Sequence, residues 1–549
     1  MQKKQFLAGA LISALCIVSA CGSSVDEGDV LTLRRGISAK VDTLDPHRSS
    51  AQWENIIIGD MIIGLMQHSA DGEVIPGVAE SWETSEDGLT WTFKLKQTVW
   101  SDGVPLTAAD FVYALRRIQS PAIASQYSAL LYNIKNAEAV NNYDPEAGTG
   151  LPPEELGVRA IDDYTLEITL EQPAPYFLGL LTHYTTYPVP RHVVEQFGEA
   201  WIQPDTIVVN GPYKLVYWKT GDQLVTEKNP LFFEADTVCF DRISYFELED
   251  PAAVERRIEA GELDINNAFD GGRKAELDQR FPGWVRTTPA LITTYWSFNS
   301  SEAPFDDVRV RKALAMALDR DYLVNKVLTP GYVPAYAFVP PGIGNYDTDR
   351  PQVSWKDLSR AERLAEARRL LEAAGFGPDN PLSFEFKHRS TDDNPKAAPV
   401  AQANWNEIAP WVDAQILRQD TKVLYADLRQ SNFQVADGGW VADYNDPLNY
   451  LFLLDSATGQ QNYGNYANPE YDQLLETASR ERDLVKRAAI FANAEAIMIE
   501  ETPITPMWFQ VTKNLVDPTL TGWGENAEDI HRSRWLCRAD YAKQVPDTE

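Results

Sequence analysis

Apolar runs of two-residue period alternate with runs of helical period along nearly all 549 residues of this chain, without a tandem repeat. That alternation restricts the fold to the α/β class, in which strands and helices build layered cores together. Val30 to Arg35 reads as a first strand, and Asn55 to Met66 carries a continuous apolar helical pattern. Leu89 to Leu95 alternates as a strand entered through a hairpin turn at Glu86-Asp87-Gly88, and Trp100-Ser101-Asp102-Gly103 is a tight turn. Thr107 and Asp110 have capping-box spacing before a helix through Phe111, Ala114 and Leu115. Ala160 to Leu170 reads as one strand after a turn. Glu247 to Asp264 reads as a strand, a helix and a stop at Gly261. Ala313, Leu314, Ala317 and Leu318 fall on one helical face, and a helix from Leu358 to Ala374 closes at Gly375. A chain this long exceeds what one core holds, so two or three domains are expected.

Charge decides one class of partner. The excess of 80 acidic over 49 basic residues gives a net charge of −31, which repels phosphate backbones and argues against nucleic acid. The 15 Trp and 23 Tyr suit broad surfaces that grip a ligand through apolar area.

At the N-terminus Lys3-Lys4 precede an apolar run from Phe6 to Ile17, too short for a comfortable membrane span. Val18-Ser19-Ala20-Cys21 follows and resembles the bacterial lipobox: small residues suit the signal peptidase, and the Cys21 thiol would carry the lipid. The alternative is an ordinary cleaved signal with an incidental cysteine. Residues 1–20 then form the signal peptide and 21–29 a polar tether. The expected location is the periplasm or cell envelope, anchored to the membrane by lipid. Cys16 leaves with the signal, which leaves Cys239 and Cys537 in an oxidising compartment, either bridged or as two separate buried thiols. Neither shows metal-ligand spacing.

One stretch stands out as a candidate site, Gly438-Gly439-Trp440-Val441-Ala442-Asp443-Tyr444-Asn445-Asp446-Pro447. It follows a strand-like alternation at Phe433 and Val435 and ends in a turn signal. Paired glycines allow close backbone approach. Asp443, between Trp440 and Tyr444, is either a turn aspartate or the fixed counter-charge for a bound cation.

Leu44-Asp45-Pro46-His47, Val78-Ala79-Glu80-Ser81-Trp82, Trp91-Thr92-Phe93, Trp100-Ser101-Asp102-Gly103 and Ala109-Asp110-Phe111-Val112-Tyr113 occur in order. So do Asn210-Gly211-Pro212-Tyr213 and Pro304-Phe305-Asp306-Asp307-Val308-Arg309. Together they resemble the extracytoplasmic solute-binding proteins of family 5, the oligopeptide- and dipeptide-binding components of ABC importers. The resemblance implies a two-lobed type II periplasmic-binding-protein fold with an additional inserted domain. One lobe would hold residues 30–62, 187–290 and 509–549, the insertion 63–186, and the other lobe 291–508. Cys239 and Cys537 then share a lobe, which favours their bridge.

The same resemblance implies a monomer that captures an extended oligopeptide between its lobes and delivers it to a membrane permease, without enzymatic activity, cofactor or metal. It places the backbone of Gly439 and Val441 on the peptide and the Asp443 carboxylate on its α-ammonium group. Trp440 would wall a side-chain pocket, and Tyr127 and Gln52 would line the cleft. At two positions where the best-known oligopeptide binders carry arginines that receive the far end of the peptide, this chain has Leu428 and Asp437. Ser50 stands where a glutamate often sits. Ligand length and C-terminal chemistry are therefore left open, and a murein-type peptide, a nickel complex, an oligosaccharide or an opine are alternatives in the same fold. A hydrolase using paired carboxylates is the alternative from another class. The sequence holds no Gly-x-Ser-x-Gly elbow, His-Glu-x-x-His, P-loop or dinucleotide glycine fingerprint. Its six histidines, His47, His68, His183, His192, His388 and His531, stand singly.

Overall fold

The computed structural model describes residues 30–328, 331–344, 346, 350–391 and 393–542. The signal peptide, Cys21 and the tether lie outside the described residues.

Three sheets carry most of the architecture. The first is seven-stranded and centred on Thr32–Ile37, which pairs in parallel with Arg242–Glu247 and Ile265–Asn266. A hairpin of Tyr213–Lys219 and Gln223–Lys228 extends one side, and Asn514–Val516 with Val285–Arg286 extends the other. The second is a four-stranded antiparallel sheet in the order Ala79–Thr84, Thr90–Leu95, Thr165–Thr169, Val158–Asp162. The third has six strands in the order Val333–Pro334, Ile504–Val511, Pro289–Phe298, Val435–Val441, Leu382–Arg389, Val412–Gln419.

Two large hydrophobic cores follow from this layout. The seven- and four-stranded sheets share one, which runs from Leu33 to Ile265 and takes in Val516, Leu520 and Leu536. The six-stranded sheet holds the other, from Leu291 to Val511. The chain passes between the cores near residue 288 and returns near 512. There the Thr512 N–H donates to the Thr288 carbonyl at 2.8 Å, and the Thr288 N–H donates to Thr512 Oγ1 at 3.0 Å. The two crossings are thus clasped to each other.

Local chemistry explains most element ends. The Thr107 N–H donates to Asp110 Oδ2 at 2.8 Å and opens the helix Ala108–Ile118. Asp307 caps Val308–Ala317, whose Ala313, Leu314 and Ala317 are buried. Ser359 and Glu362 form a capping box on Arg360–Ala373, and Gly375 follows at φ +99°, a left-handed stop that glycine adopts without strain. Two expectations need correcting. The helix expected over Asn55 to Met66 runs from Gln52 to Met61 instead. Asn210 ends it by pairing with both the N–H and the carbonyl of Ile63, at 3.0 and 2.9 Å, which draws the chain out into extended form. The single strand expected over Ala160 to Leu170 is a hairpin, because Asp162 takes the Tyr164 N–H at 2.9 Å and turns the chain.

Cys239 and Cys537 are joined by a disulfide with Cα atoms 5.4 Å apart. It fixes the short C-terminal strand Cys537–Arg538 beside the seven-stranded sheet.

Candidate ligand-binding cleft

The strand Val435–Val441 pairs along its whole length with Pro289–Phe298, from Val435 opposite Phe298 to Val441 opposite Ile292. Its two glycines have immediate neighbours. A Cβ on Gly438 would lie 2.9 Å from the Tyr295 ring, and one on Gly439 would lie 3.1 Å from Arg389 Nη2. Bare backbone here makes room for those two side chains. Trp440 turns into the second core, where its Nε1 donates to Asn449 Oδ1 at 2.8 Å and its ring meets Phe452 edge-on at 5.5 Å.

The turn that follows belongs to Asp446, not Asp443. Asp446 Oδ1 accepts from the Leu448 N–H at 2.9 Å, and Arg487 binds both of its oxygens at 2.5 and 3.0 Å. Asp443 itself is fixed only through its backbone, whose N–H donates to Asn449 Oδ1 at 3.3 Å. Its carboxylate has no hydrogen-bond or ion-pair partner among the described residues. Water reaches the group, yet protein surrounds it closely enough that desolvation pushes its pKa up to about 6.

That carboxylate faces a cavity of about 580 Å³ between the two cores. Gln52, Ser50, Tyr127, His183 and Glu528 line it from the first core, and Leu291, Ile292, Val441 and Asp443 from the second. Tyr127 packs on His183 at 4.9 Å and on Tyr184 at 6.1 Å between ring centres. Burial and then the nearby Asp443 charge raise the Tyr127 hydroxyl, and both residues line the cavity. Burial drives His183 down to about 3, so this side chain of the cavity wall is neutral.

The structure therefore brings together Asp443, Val441, Tyr127 and Gln52 around one cavity. Gly439 and Trp440 share the strand but do not line that cavity. Leu428 is fully buried in a small cluster with Leu424, Phe433, Ala436 and Tyr463. Asp437 is fully buried and paired with Arg389 at 2.9 Å.

Sequence reasoning missed the lining segment Ala527 to Arg532 and Lys513. Glu528 pairs with His68 at 2.7 Å, and Asp529 accepts from Asn514 at 2.7 Å. Arg532 donates to the carbonyl and side-chain oxygens of Asn55 at 2.6 and 2.8 Å. The available signal was the density of polar side chains in Asn526-Ala527-Glu528-Asp529-Ile530-His531-Arg532, which falls in a part of the chain that the family phrases do not cover.

Comparison with known proteins agrees with this arrangement. Residues 73–462 match the family model for bacterial extracellular solute-binding proteins, family 5. The chain is 35% identical over 530 residues to the periplasmic oligopeptide-binding protein OppA of Salmonella typhimurium, covering 95% of this chain and 96% of that protein. It superposes on the unliganded open form of the murein tripeptide-binding protein MppA with a TM-score of 0.84 at 32% identity, covering 93% and 98% of the two chains. On Haemophilus influenzae OppA in complex with RPPGFSPFR the TM-score is 0.72 at the same 32% identity, covering 93% and 99%. With its two-lobed periplasmic-binding fold, the chain belongs to the bacterial extracellular solute-binding proteins of family 5.

Proposed function

We propose that this protein is the lipid-anchored extracytoplasmic binding component of an ABC importer, that it captures extended oligopeptides in the cleft between its lobes, and that it hands them to a membrane permease. The observation that carries the reading is Asp443, an unpartnered, solvent-reached carboxylate on the wall of a cavity lined by both cores. A peptide α-ammonium supplies the missing counter-charge through a charge-assisted hydrogen bond, which is strong where water is largely excluded. Main-chain pairing with a strand edge would hold the rest of the ligand without reading its side chains. The role of Cys21 as the lipid site, the monomeric state and the division into residues 30–62 with 187–290 and 509–549, 63–186 and 291–508 belong to the same proposal. The sheet memberships and the clasped crossings near 288 and 512 support that division. Titration calorimetry with a tripeptide and its N-acetylated form tests the central point: the free amine is expected to bind far more tightly, and equal affinities would overturn the reading.

A further inference from the structure

A second cavity, of about 680 Å³, opens beside the helix Ala108–Ile118 and shares no lining residue with the cleft. Its size falls within the range of about 300–1,000 Å³ usual for small-molecule sites. The helix beside it has two apolar stripes. Phe111, Ala114, Leu115 and Ile118 enter the first core. Ala109, Val112, Tyr113 and Arg116, spaced three, one and three apart, share another face and line the cavity. Ile123, Ala160 of the strand Val158–Asp162 and Val194 of the helix Arg191–Phe197 complete an apolar wall.

Charge on this wall runs against the rest of the molecule. The chain carries a net charge of −31, yet four arginines line the cavity against two carboxylates, Glu154 and Glu199. Three of those arginines are paired. Arg117 binds both oxygens of Asp45, at 2.8 and 2.5 Å. Arg48 pairs with Glu199 at 2.8 Å, and Arg191 with Glu195 at 2.7 Å. Arg116 is different: it has no carboxylate partner among the described residues. Its Nη2 donates to the Glu154 carbonyl at 3.2 Å, its Nε is buried without a partner, and its Nη1 makes no hydrogen bond to a described residue. The contact with Glu154 sets the fork into the wall and leaves Nη1, which is not buried, free to donate.

We propose that this cavity is a second ligand site, separate from the cleft, and that it takes a small amphipathic carboxylate. The head accepts from Arg116 in a charge-assisted hydrogen bond. One uncompensated guanidinium matches a head of one negative charge, whereas a doubly charged phosphate calls for more than one. The apolar body lies along Val112, Ile123, Ala160 and Val194, and each methylene it withdraws from water adds to affinity. In the cleft the unpartnered Asp443 carboxylate repels such a ligand, so the two cavities select opposite charge.

Calorimetry on the purified full chain with octanoate and octanol as probes tests the site. The wild type is expected to bind octanoate saturably, and at least about tenfold more tightly than octanol. Arg116→Gln breaks no ion pair, and it is expected to weaken octanoate about tenfold while leaving octanol within twofold. Ala160→Glu changes an exposed residue and places a like charge in the cavity. With its fold checked by circular dichroism, it is expected to weaken octanoate at least about fivefold. Absence of saturable octanoate binding in the wild type overturns the proposal. So does octanol that binds as tightly as octanoate, or an octanoate affinity within twofold of wild type in both variants.

Discussion

Replacing Asp443 with asparagine keeps the size of the side chain and removes its charge. On the proposed reading the ligand ammonium meets, in the wild type, a carboxylate without another partner among the described residues, in a cavity where desolvation already raises its pKa to about 6. In the variant the same ammonium is enclosed without a counter-charge, at a cost on the order of 3–5 kcal/mol. That corresponds to a loss of affinity of roughly 100- to 1000-fold or more. The pH dependence gives an independent check with a definite sign. Binding requires the ionised carboxylate, and the bound ammonium holds its pKa well below that of the free protein. Affinity is therefore full above pH 7 and falls as pH drops through about 6. At pH 5 the apparent Kd is expected to be about tenfold weaker than at pH 7, because the free carboxyl is then mostly protonated. Calorimetric titration of both proteins with a tripeptide from pH 5 to 8 measures both effects. An Asp443→Asn protein within threefold of wild type, or a wild-type affinity flat across that range, would refute the reasoning.

Three further substitutions probe the scaffold. Cys239→Ser with Cys537→Ser removes a bridge between residues 298 apart in sequence and is expected to cost about 2–5 kcal/mol, read as a lower urea midpoint under non-reducing conditions. Gly438→Ala places a methyl 2.9 Å from the buried Tyr295 ring; about 1–3 kcal/mol of destabilisation is expected, and an unchanged melting temperature would contradict the tight fit. Leu428→Arg does not restore a ligand-facing cation, because position 428 is fully buried in an apolar cluster. It is expected to destabilise by at least about 3 kcal/mol without raising affinity for free-acid peptides, as judged by denaturation and calorimetry.

Much of the scaffold was legible because its signals are local. Capping spacing at Thr107 and Asp110, the glycine stop at Gly375 and the buried face of Ala313, Leu314 and Ala317 need only near neighbours in sequence. The end of the first helix was hidden because Asn210, far along the chain, decides it. At the site, Asp443 was found but its role was open, since a turn aspartate and an anchor look alike in sequence. What separates them is that Asp446 already serves the turn, through Leu448 and Arg487. The pairing of Asp437 with Arg389 was not legible, because it depends on which strands lie side by side.

The segment that carries Asp443 is anchored on both of its sides. Asp446, three residues beyond Asp443, is paired with Arg487. Tyr444, next to Asp443, stacks on Tyr176 of the first core at 4.7 Å with ring planes 12° apart. The Arg487 guanidinium lies 5.8 Å from that Tyr176 ring. Asp443 therefore sits on a segment held between both cores. An unpaired, partly desolvated carboxylate is an unfavourable group to leave in that position, and on the proposed reading a ligand ammonium relieves it, whereas a ligand without an amine gains nothing there. On the proposed reading the amine end of the ligand therefore meets a group whose position the protein itself has already fixed.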